Sequence, residues 1–239
     1  MNLGDHRQAL LDDLSVSAGD TFFDPATDYA ILDRFINRAV KAISNLKNWQ
    51  QTQGSDRQLL TIAGDETDEY WNYPENYKTD SIYYLEYNGK RYKRITWEEY
   101  LKHKRDYPNS TKKLYSDHKR QLFINPRPTT EAYLEIWGHE IPATLSASSD
   151  EHPFNNEQLL EEAIHSYALG LCYRKRGGTY RAEGKKLIND ALTLAGEAFS
   201  QQRNEQAGYR TENAEMFEHT DFLETSGHPR TKRGSFDTC

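Results

Sequence analysis

Two hairpin-like stretches between helical sequences constrain the fold of this chain most. One runs from Ser81 to Trp97 (SIYYLEYNGKRYKRITW), and a second lies within Lys113–Gly138 (KLYSDHKRQLFINPRPTTEAYLEIWG). Asn88-Gly89 separates two aromatic-rich runs and predicts a tight hairpin turn, because both turn residues need positive φ. Helical patterns precede and follow this region. The order predicts an α+β fold, a helical bundle frame with an inserted small antiparallel β domain.

About five antiparallel strands are expected in the insertion. A capping box, Thr96 to Glu99, opens a short helix that should end near Arg105. The second hairpin should turn at Asp117–Lys119, and its return strand should end at Asn125-Pro126, since proline cannot donate to a strand ladder. A first strand is predicted at Gln58–Ile62. The last strand should be half-buried, because two sets of residues alternate along it. The inward set is Ala132, Leu134 and Ile136, and the outward set is Tyr133, Glu135 and Trp137.

The helical frame is predicted from apolar spacing. A short helix should cover Arg7–Val16, and a stronger one should run from a cap at Asp24-Pro25 to about Trp49. Two more should follow, from about Asn155 to Gly177-Gly178 and from Thr179 to about Gln206, as an antiparallel pair joined by the glycines. The expected core of the frame is Leu32, Phe35, Leu160, Leu187 and Leu194.

Residues 208–239 show no sustained period and are predicted to form an extended C-terminal arm. Its apolar residues would be the contacts with a partner: Tyr209, Met216, Phe217, Phe222, Leu223 and Phe236. The predicted organisation is therefore 1–50 as helical frame, 51–145 as β insertion, 146–207 as the helical pair that completes the frame, and 208–239 as the arm.

The composition predicts either a large solvated surface or segments that become ordered only against partners. Hydrophobic residues make up 36%, and the mean hydropathy is −0.94, against about 45–50% apolar residues in ordinary globular domains. Sixteen Tyr and nine Phe compensate in part, because aromatic side chains bury much area each. No apolar run is long enough to span a membrane, and residues 1–20 lack the apolar core of a signal peptide. We expect neither membrane contact nor secretion.

Charge is distributed unevenly along the chain. Residues 88–125 hold eleven Lys and Arg against four acids, a net charge of +7, so the remainder of this −7 chain carries −14. Such a molecule has one region suited to an acidic partner and others that repel nucleic acid. The partner surface should include Lys102, Lys104, Arg105, Lys112 and Lys113. A solvated surface that protects strand edges from aggregation is the alternative.

No motif predicts catalysis, a metal or a cofactor. Glu162-x-x-His165 would be half of a di-iron site, but the last helix lacks the second copy that such a site needs. His139-Glu140 lacks the second His of a zinc protease helix, and nothing pairs His152 with a nucleophile. Cys172 lies in an apolar stripe and is expected to be a core residue. We predict that the protein is not an enzyme.

A sequence-tolerant nucleic-acid-binding module is the alternative function. Aromatic residues are interleaved with Lys and Arg in the basic hairpins, a mixture that suits base stacking and phosphate contact: Tyr92, Trp97, Tyr100, Tyr107 and Tyr115. Against it, the chain as a whole is acidic, and aromatic residues in strands more often belong to a core or an interface.

The order of these pieces resembles the head-to-tail adaptor (head-completion) proteins of tailed bacteriophages. The likeness lies in the helix FINRAVKAISNLKNWQ (Phe35–Gln50), in the sheet and its exit LFINPRPTTEAYLEIWGHEIPATLSASSDEHPF (Leu122–Phe154), and in the two later helices. It covers about Asp24 to Gln206 and rests on architecture and loose patterns.

The resemblance implies a structural ring subunit, commonly in twelve copies, seated under the portal. It further implies a tail or nozzle protein as the next partner, genomic double-stranded DNA passing through without sequence-specific binding, and a place in the virion after assembly in the host cytoplasm. Terminal arms in that family often clamp the portal ring, so the arm would bind the portal, or else a neighbouring subunit. The resemblance assigns no partner to the basic residues, and we predict separately that they face a protein or DNA partner on the tail side.

Overall fold

The computed structural model describes residues 1–15, 23, 29–60 and 70–225, without the side chains of 58–60 and 205–225. The helices of this part are α1 Leu3–Asp13, α2 Tyr29–Leu46, α3 Trp97–Asp106, α4 Gln158–Arg176 and α5 Tyr180–Thr225. Its strands are β1 Gln53–Leu60, β2 Trp71–Asn72, β3 Tyr84–Tyr87, β4 Lys90–Arg94, β5 Leu114–His118, β6 Gln121–Asn125 and β7 Ala132–His139. One compact unit covers Met1–Ala195, and a second begins at Gly196. The α+β class is confirmed.

The seven strands form one mixed sheet in the order β1-β7-β3-β4-β5-β6-β2. Neighbouring strands are antiparallel except β4 and β5, which are parallel. Helix α3 connects these two strands, and parallel neighbours require a crossover of this kind. The prediction of an entirely antiparallel insertion is therefore wrong at this pair. The predicted number of strands, about five, is lower than the seven observed. Strand β2 could not be predicted because it has only two residues and no pattern to detect.

The local turn signals are largely confirmed. Asn88 and Gly89 have φ of 50° and 66° and join β3 to β4. The second hairpin turns at Lys119-Arg120, slightly later than predicted, with φ of 50° and 60°. Strand β6 ends at Asn125 as expected. On β7, Leu134 and Ile136 are buried while Tyr133 and Trp137 are exposed. Strand β1 begins earlier than the predicted Gln58, at Gln53.

Tyrosines dominate the core of the sheet. The buried cluster is Tyr73, Tyr77, Ile82, Leu85, Tyr87, Tyr92, Tyr115, Leu122, Ile124, Leu134 and Ile136. Buried phenol groups donate to main-chain carbonyls, Tyr115 to Ile82 at 3.1 Å and Tyr73 to Lys78 at 2.8 Å. Because these two hydroxyls have acceptors, their rings are buried without an unsatisfied donor. The hydroxyl of Tyr77 has no hydrogen-bond partner among the described residues. Aromatic area thus replaces the aliphatic residues that the composition lacks.

Helices α1, α2 and α4 pack against one another. Their buried residues include Leu10 of α1, Ile36, Val40 and Ile43 of α2, and Leu160, Ile164 and Leu171 of α4. Of the predicted core, Leu32 and Leu160 are buried, whereas Phe35, Leu187 and Leu194 are only half-buried. The prediction was wrong for Phe35 because the stripe of α2 that faces inward is centred on Ile36. It was wrong for Leu187 and Leu194 because Ala191 and Ala195 are the fully buried side chains of α5. Helix α1 starts before the predicted Arg7 because Asn2 and Asp5 form a capping box. The predicted cap at Asp24-Pro25 lies outside the described residues.

Helices α4 and α5 form the predicted antiparallel pair. Gly177 and Gly178 have φ of 75° and 53°, conformations that favour glycine, in the link between them. Gly170 of α4 and Gly184 of α5 lie where the helices cross. A Cβ on Gly170 would stand 2.7 Å from the carbonyl oxygen of Gly184. The two glycines therefore permit backbone-to-backbone contact between the helices.

Helix α5 continues well past its predicted end near Gln206, to Thr225. An extended conformation was therefore the wrong prediction for residues 208–225. A single glycine, Gly208, costs about 1 kcal/mol in a helix interior, and the next proline is Pro229. Tyr209, Met216 and Leu223 also recur every seven residues, which places them along one side of a helix. The predicted residue Phe236 lies outside the described part of the chain.

The end of α2 is tied to the sheet by two buried polar groups. The Lys78 ammonium donates to the carbonyls of Ser44 at 2.7 Å and Lys47 at 3.1 Å. A cation at this position complements the partial negative charge of a helix C-terminus, although burial lowers the pKa of Lys78 to about 8. His139 Nδ1 lies 2.9 Å from the carbonyl oxygen of Trp49. These bonds fix where the sheet begins relative to the helices.

The segment that leaves the sheet is also held in place. The Asn37 side chain accepts from the Leu145 amide at 2.7 Å and donates to the Leu145 carbonyl at 2.9 Å. Asp150 accepts from the amides of Ser146 and Ala147, and these bonds lower its pKa. The chain is thereby directed from β7 back to the helical frame.

Candidate interaction surfaces

The basic surface predicted from the sequence lies on α3 and the loop that follows it. Helix α3 starts at the predicted capping box: Thr96 Oγ1 accepts from the Glu99 amide at 3.2 Å, and Glu99 Oε2 accepts from the Thr96 amide at 3.0 Å. The bond from Thr96 lowers the pKa of Glu99. We call the following exposed set the basic surface: Lys102, Lys104, Arg105, Lys112 and Lys113.

Aromatic residues anchor the inner face of α3 to the sheet. The rings of Trp97 and Phe123 lie 4.4 Å apart, and Tyr100 is buried with its hydroxyl 3.5 Å from the Ile124 carbonyl. Outward, α3 and its end expose Leu101 and Tyr107, at 47% and 63%. The basic surface therefore includes apolar area, as protein contact surfaces commonly do.

The loop after α3 is held by the end of β6. The Asn125 side chain donates to the carbonyls of Ser110 at 3.3 Å and Lys112 at 2.8 Å. Arg105 pairs with Asp106 at 2.9 Å, which raises the pKa of Arg105 and lowers that of Asp106. Three residues of the basic surface thus lie on one helix and two on a fixed loop, all of them exposed.

Most aromatic residues considered for base stacking face the core instead. Tyr92, Tyr100 and Tyr115 are each at most 6% exposed. Trp97 is half-buried, and Tyr107 is exposed. Since a base must reach a ring face to stack on it, three of the five predicted contacts cannot serve as a stacking platform without unfolding.

The predicted partner residues of the arm divide into two groups. Tyr209, Met216, Phe217, Phe222 and Leu223 belong to the helical backbone of α5, and their side chains are not described. Phe236 lies outside the described residues. Their contact with a partner stays a prediction.

The residues considered for metal binding or catalysis have structural partners. His165 Nε2 lies 2.6 Å from Asp13 Oδ2, and His152 Nε2 lies 3.0 Å from Nε2 of buried His6. Burial raises the pKa of the Cys172 thiol to about 12, so the reactive thiolate is disfavoured. Over the part of the chain that the structure describes, no three His, Cys, Asp or Glu residues are grouped as a metal would require.

Sequence reasoning missed an aromatic and arginine face on the outer side of the sheet. The Arg57 guanidinium lies 4.1 Å from the ring centre of Tyr133, and that of Arg91 lies 5.1 Å from Tyr84. Trp137, on the same strand as Tyr133, is 44% exposed. The alternation of β7 indicated the aromatic part of this face. The arginines lie on other strands, so their position beside the aromatic rings could not be predicted without the strand register.

Comparison with protein-family models places the chain among the head–tail adaptor proteins of bacteriophages. In particular, the family model of the SU10 adaptor protein matches residues 1–216, and the chain belongs to that family. The predicted resemblance is thereby confirmed, and the family implies a bacteriophage virion component. No curated protein matched the chain. None of the helices in the described residues is long and apolar enough to cross a membrane.

Proposed function

We propose that this protein is the repeating subunit of a ring, with twelve copies expected, that joins the phage portal to the tail. In this role it docks on the portal, extends the DNA channel and offers the attachment site for a tail or nozzle protein. The family match carries the proposal. The family match assigns the adaptor role. The ring, the docking on the portal and the attachment of the tail are our extension of that role.

Composition and surface support assembly with other copies. The core is lean, and exposed Tyr and Trp residues lie on the outer face of the sheet. Such residues are frequent in protein interfaces, and subunits of obligate oligomers gain stability from burying them. Alone, the subunit should be monomeric or weakly associated, and it should close into a ring on the portal.

The charge distribution supports the passage of DNA. Outside residues 88–125 the chain carries a net charge of −14. An acidic channel wall repels phosphate, and phosphate contacts dominate DNA affinity, so the genome can slide without sequence-specific binding. The basic surface then remains for a protein on the tail side.

The C-terminal arm, residues 208–239, is proposed to bind the portal, with a neighbouring subunit as the alternative receiver. Six apolar residues recur in an otherwise polar segment. Burying them on a partner would offset the entropy lost when the arm becomes ordered.

Deletion of residues 208–239 tests this function. The truncated protein should keep the thermal melting of its remaining part and should lose co-purification with portal rings. A second deletion, of 226–239 alone, leaves all of α5 and separates the helix from the terminal segment. Undiminished portal affinity after the longer deletion would show that the arm does not dock the subunit.

A further inference from the structure

The outer face of strands β1, β7, β3 and β4 exposes aromatic and charged side chains. Trp137 and Tyr133 of β7 are 44% and 51% exposed. Directly paired residues, and residues two apart on one strand, lie on the same face of a sheet. The register therefore places these side chains together: Ser55, Arg57, Tyr84, Glu86, Arg91, Lys93, Tyr133, Glu135 and Trp137. Exposed aromatic area of this kind marks a contact with another polypeptide.

The charged residues of the outer face form a row across the four strands. The register pairs Glu135 of β7 with Glu86 of β3. On their other sides, Arg57 is paired with Glu135, and Arg91 with Glu86. Both guanidinium groups lie over tyrosine rings, and no ion pair joins either glutamate to another described residue. Two carboxylates directly opposite each other repel, so this face favours an added positive charge.

The order of these charges disfavours packing of two outer faces on each other. From β1 to β4 the row is positive, negative, negative and positive. A two-fold axis through the centre of the row, along it or along the strands, would bring like charges together. The outer face therefore suits a different segment better than it suits its own copy.

An acidic hollow lies within the outer face. It has a volume of about 620 Å³, and its lining includes Glu86, Glu131 and Glu135 against one cation, Arg57. Glu131 is exposed, and the other two glutamates are half-buried. With three carboxylates and one guanidinium, the hollow attracts a basic segment and repels an acidic one.

The segments of the chain that lie outside the described residues differ in charge. Residues 16–22 and 24–28 together contain three acidic residues and no Lys or Arg, and residues 61–69 contain four acidic residues and no Lys or Arg. Residues 226–239 contain three basic residues, Arg230, Lys232 and Arg233, against one acidic residue. Among these segments, only residues 226–239 complement the acidic hollow.

This basic segment also carries groups that suit the aromatic part of the face. Guanidinium groups lie well on aromatic rings, as that of Arg57 does on Tyr133. Phe236 adds an aromatic ring three residues after Arg233, and exposed Trp137 is the largest apolar side chain on the face.

We propose that residues 228–236 of a neighbouring copy bind the outer face, with their basic side chains at the acidic hollow and Phe236 against Trp137. The choice of a neighbouring copy rests on the proposed assembly into a ring. The proposal leaves residues 208–225 of the arm to the portal.

The test adds a labelled peptide to a protein whose own segment cannot compete. The receiver is the full-length protein with Arg230, Lys232 and Arg233 each replaced by Ser. A fluorescein-labelled peptide of residues 226–238 is titrated with it, and fluorescence anisotropy measures binding. We expect saturable binding, about tenfold tighter than that of a peptide with the same three replacements. Affinity should fall several-fold as salt rises from about 50 to about 300 mM, because salt screens exposed charges.

Glutamine variants of the receiver locate the binding site. One variant combines Glu86→Gln, Glu131→Gln and Glu135→Gln and should bind the peptide about tenfold more weakly. Glutamine keeps a carbonyl acceptor for the Tyr84 hydroxyl and for Trp137 Nε1, which donate to Glu86 and Glu135. The face should therefore stay folded, and thermal melting verifies this.

A matched control changes the same net charge elsewhere. It combines Glu162→Gln, Glu183→Gln and Glu197→Gln, three exposed residues of α4 and α5, and should leave affinity unchanged. Absence of saturable binding by the basic peptide, or equal losses in the two triple variants, would overturn the proposal. If the peptide does not bind while the first triple variant loses portal rings or self-association, the outer face serves those partners and the proposal is wrong. Because the peptide assay contains no portal, its failure leaves the proposed function standing.

Discussion

At the scale of single residues, the direction in which a side chain points decides its role more than its type does. Phe35 and Ile36 are adjacent on α2, yet Ile36 is fully buried and Phe35 is half-buried, with the Arg34 guanidinium 5.8 Å from its ring centre. The apolar spacing in the sequence includes both residues. The packing of α1 and α4 against α2 determines which of them contributes to the core.

These two neighbours give a direct comparison of stability. Ile36→Ala removes fully buried methyl groups and should lower the free energy of unfolding by about 2–5 kcal/mol. Phe35→Ala removes a larger but half-exposed ring and should cost clearly less. Urea denaturation of both variants measures the difference. Equal losses, or a greater loss in Phe35→Ala, would contradict the orientation described for α2.

Long-range polar pairs could not have been predicted from the sequence. Lys78 contacts carbonyls more than thirty residues away, at the end of α2, and Asn37 bonds to Leu145 across more than a hundred residues. No local pattern marks either residue, because each partner is brought near only by the fold. The same holds for Arg94 of β4 and Asp117 of β5, whose side chains pair at 2.7 Å.

At the scale of elements, turns and helix caps were predicted correctly from local sequence, whereas the ends of several helices and strands were not. The Asn88-Gly89 turn and the Gly177-Gly178 link follow from backbone conformations that few residues adopt. The capping box of α3 follows from side chains that can bond to the first free amides of a helix. The parallel pairing of β4 with β5 follows from the crossover through α3, a topological consequence that strand patterns do not contain. The length of α5 was missed because residues 208–239 show no sustained apolar period, although the backbone is helical to Thr225.

A buried histidine pair joins α1 to the segment before α4. Burial, together with the neighbouring charge of the other histidine, lowers the pKa of His6 to about 3, and burial lowers that of His152 to about 4. His165, Glu151, Glu161 and the amino terminus also act on the pair. Both rings are therefore neutral in the folded protein below pH 6.5, where the unfolded chain binds protons.

This pair predicts a specific acid sensitivity. Because the unfolded state binds more protons between pH 6.5 and about 4, stability should be fully present above pH 6.5 and fall as the pH decreases through that window. His6→Gln should make the decrease shallower, and His103→Gln, on α3, should not. Thermal melting between pH 4 and 7 measures the slopes, and parallel slopes for the protein and His6→Gln would contradict the assignment.

At the scale of the whole molecule, the family fixes the adaptor role, while the surfaces suggest how it is carried out. The strands of the described residues all lie between α2 and α4 in the chain. The functional division into 1–50, 51–145, 146–207 and 208–239 stays a prediction, as does the assignment of the arm to the portal and of the basic surface to the tail side. The arm is tested with portal rings, and the basic surface with assembled particles.

Charge reversal separates tail attachment from folding. Replacing all five residues of the basic surface with Glu should leave melting and portal docking intact, because the side chains are exposed, and should block the next joining step. A control variant reverses Arg181, Lys185 and Lys186, which are exposed on α5. Normal particle completion by the first variant would assign the basic surface to solubility alone.

The mass of the complex with the portal tests the central claim most directly. The purified protein is mixed with portal rings of the same phage, and the mass of free and bound species is measured by native mass spectrometry. We predict a monomer or weak oligomer alone and a closed ring of twelve subunits on the portal. A stable monomer that leaves the mass of the portal ring unchanged would contradict the proposed function.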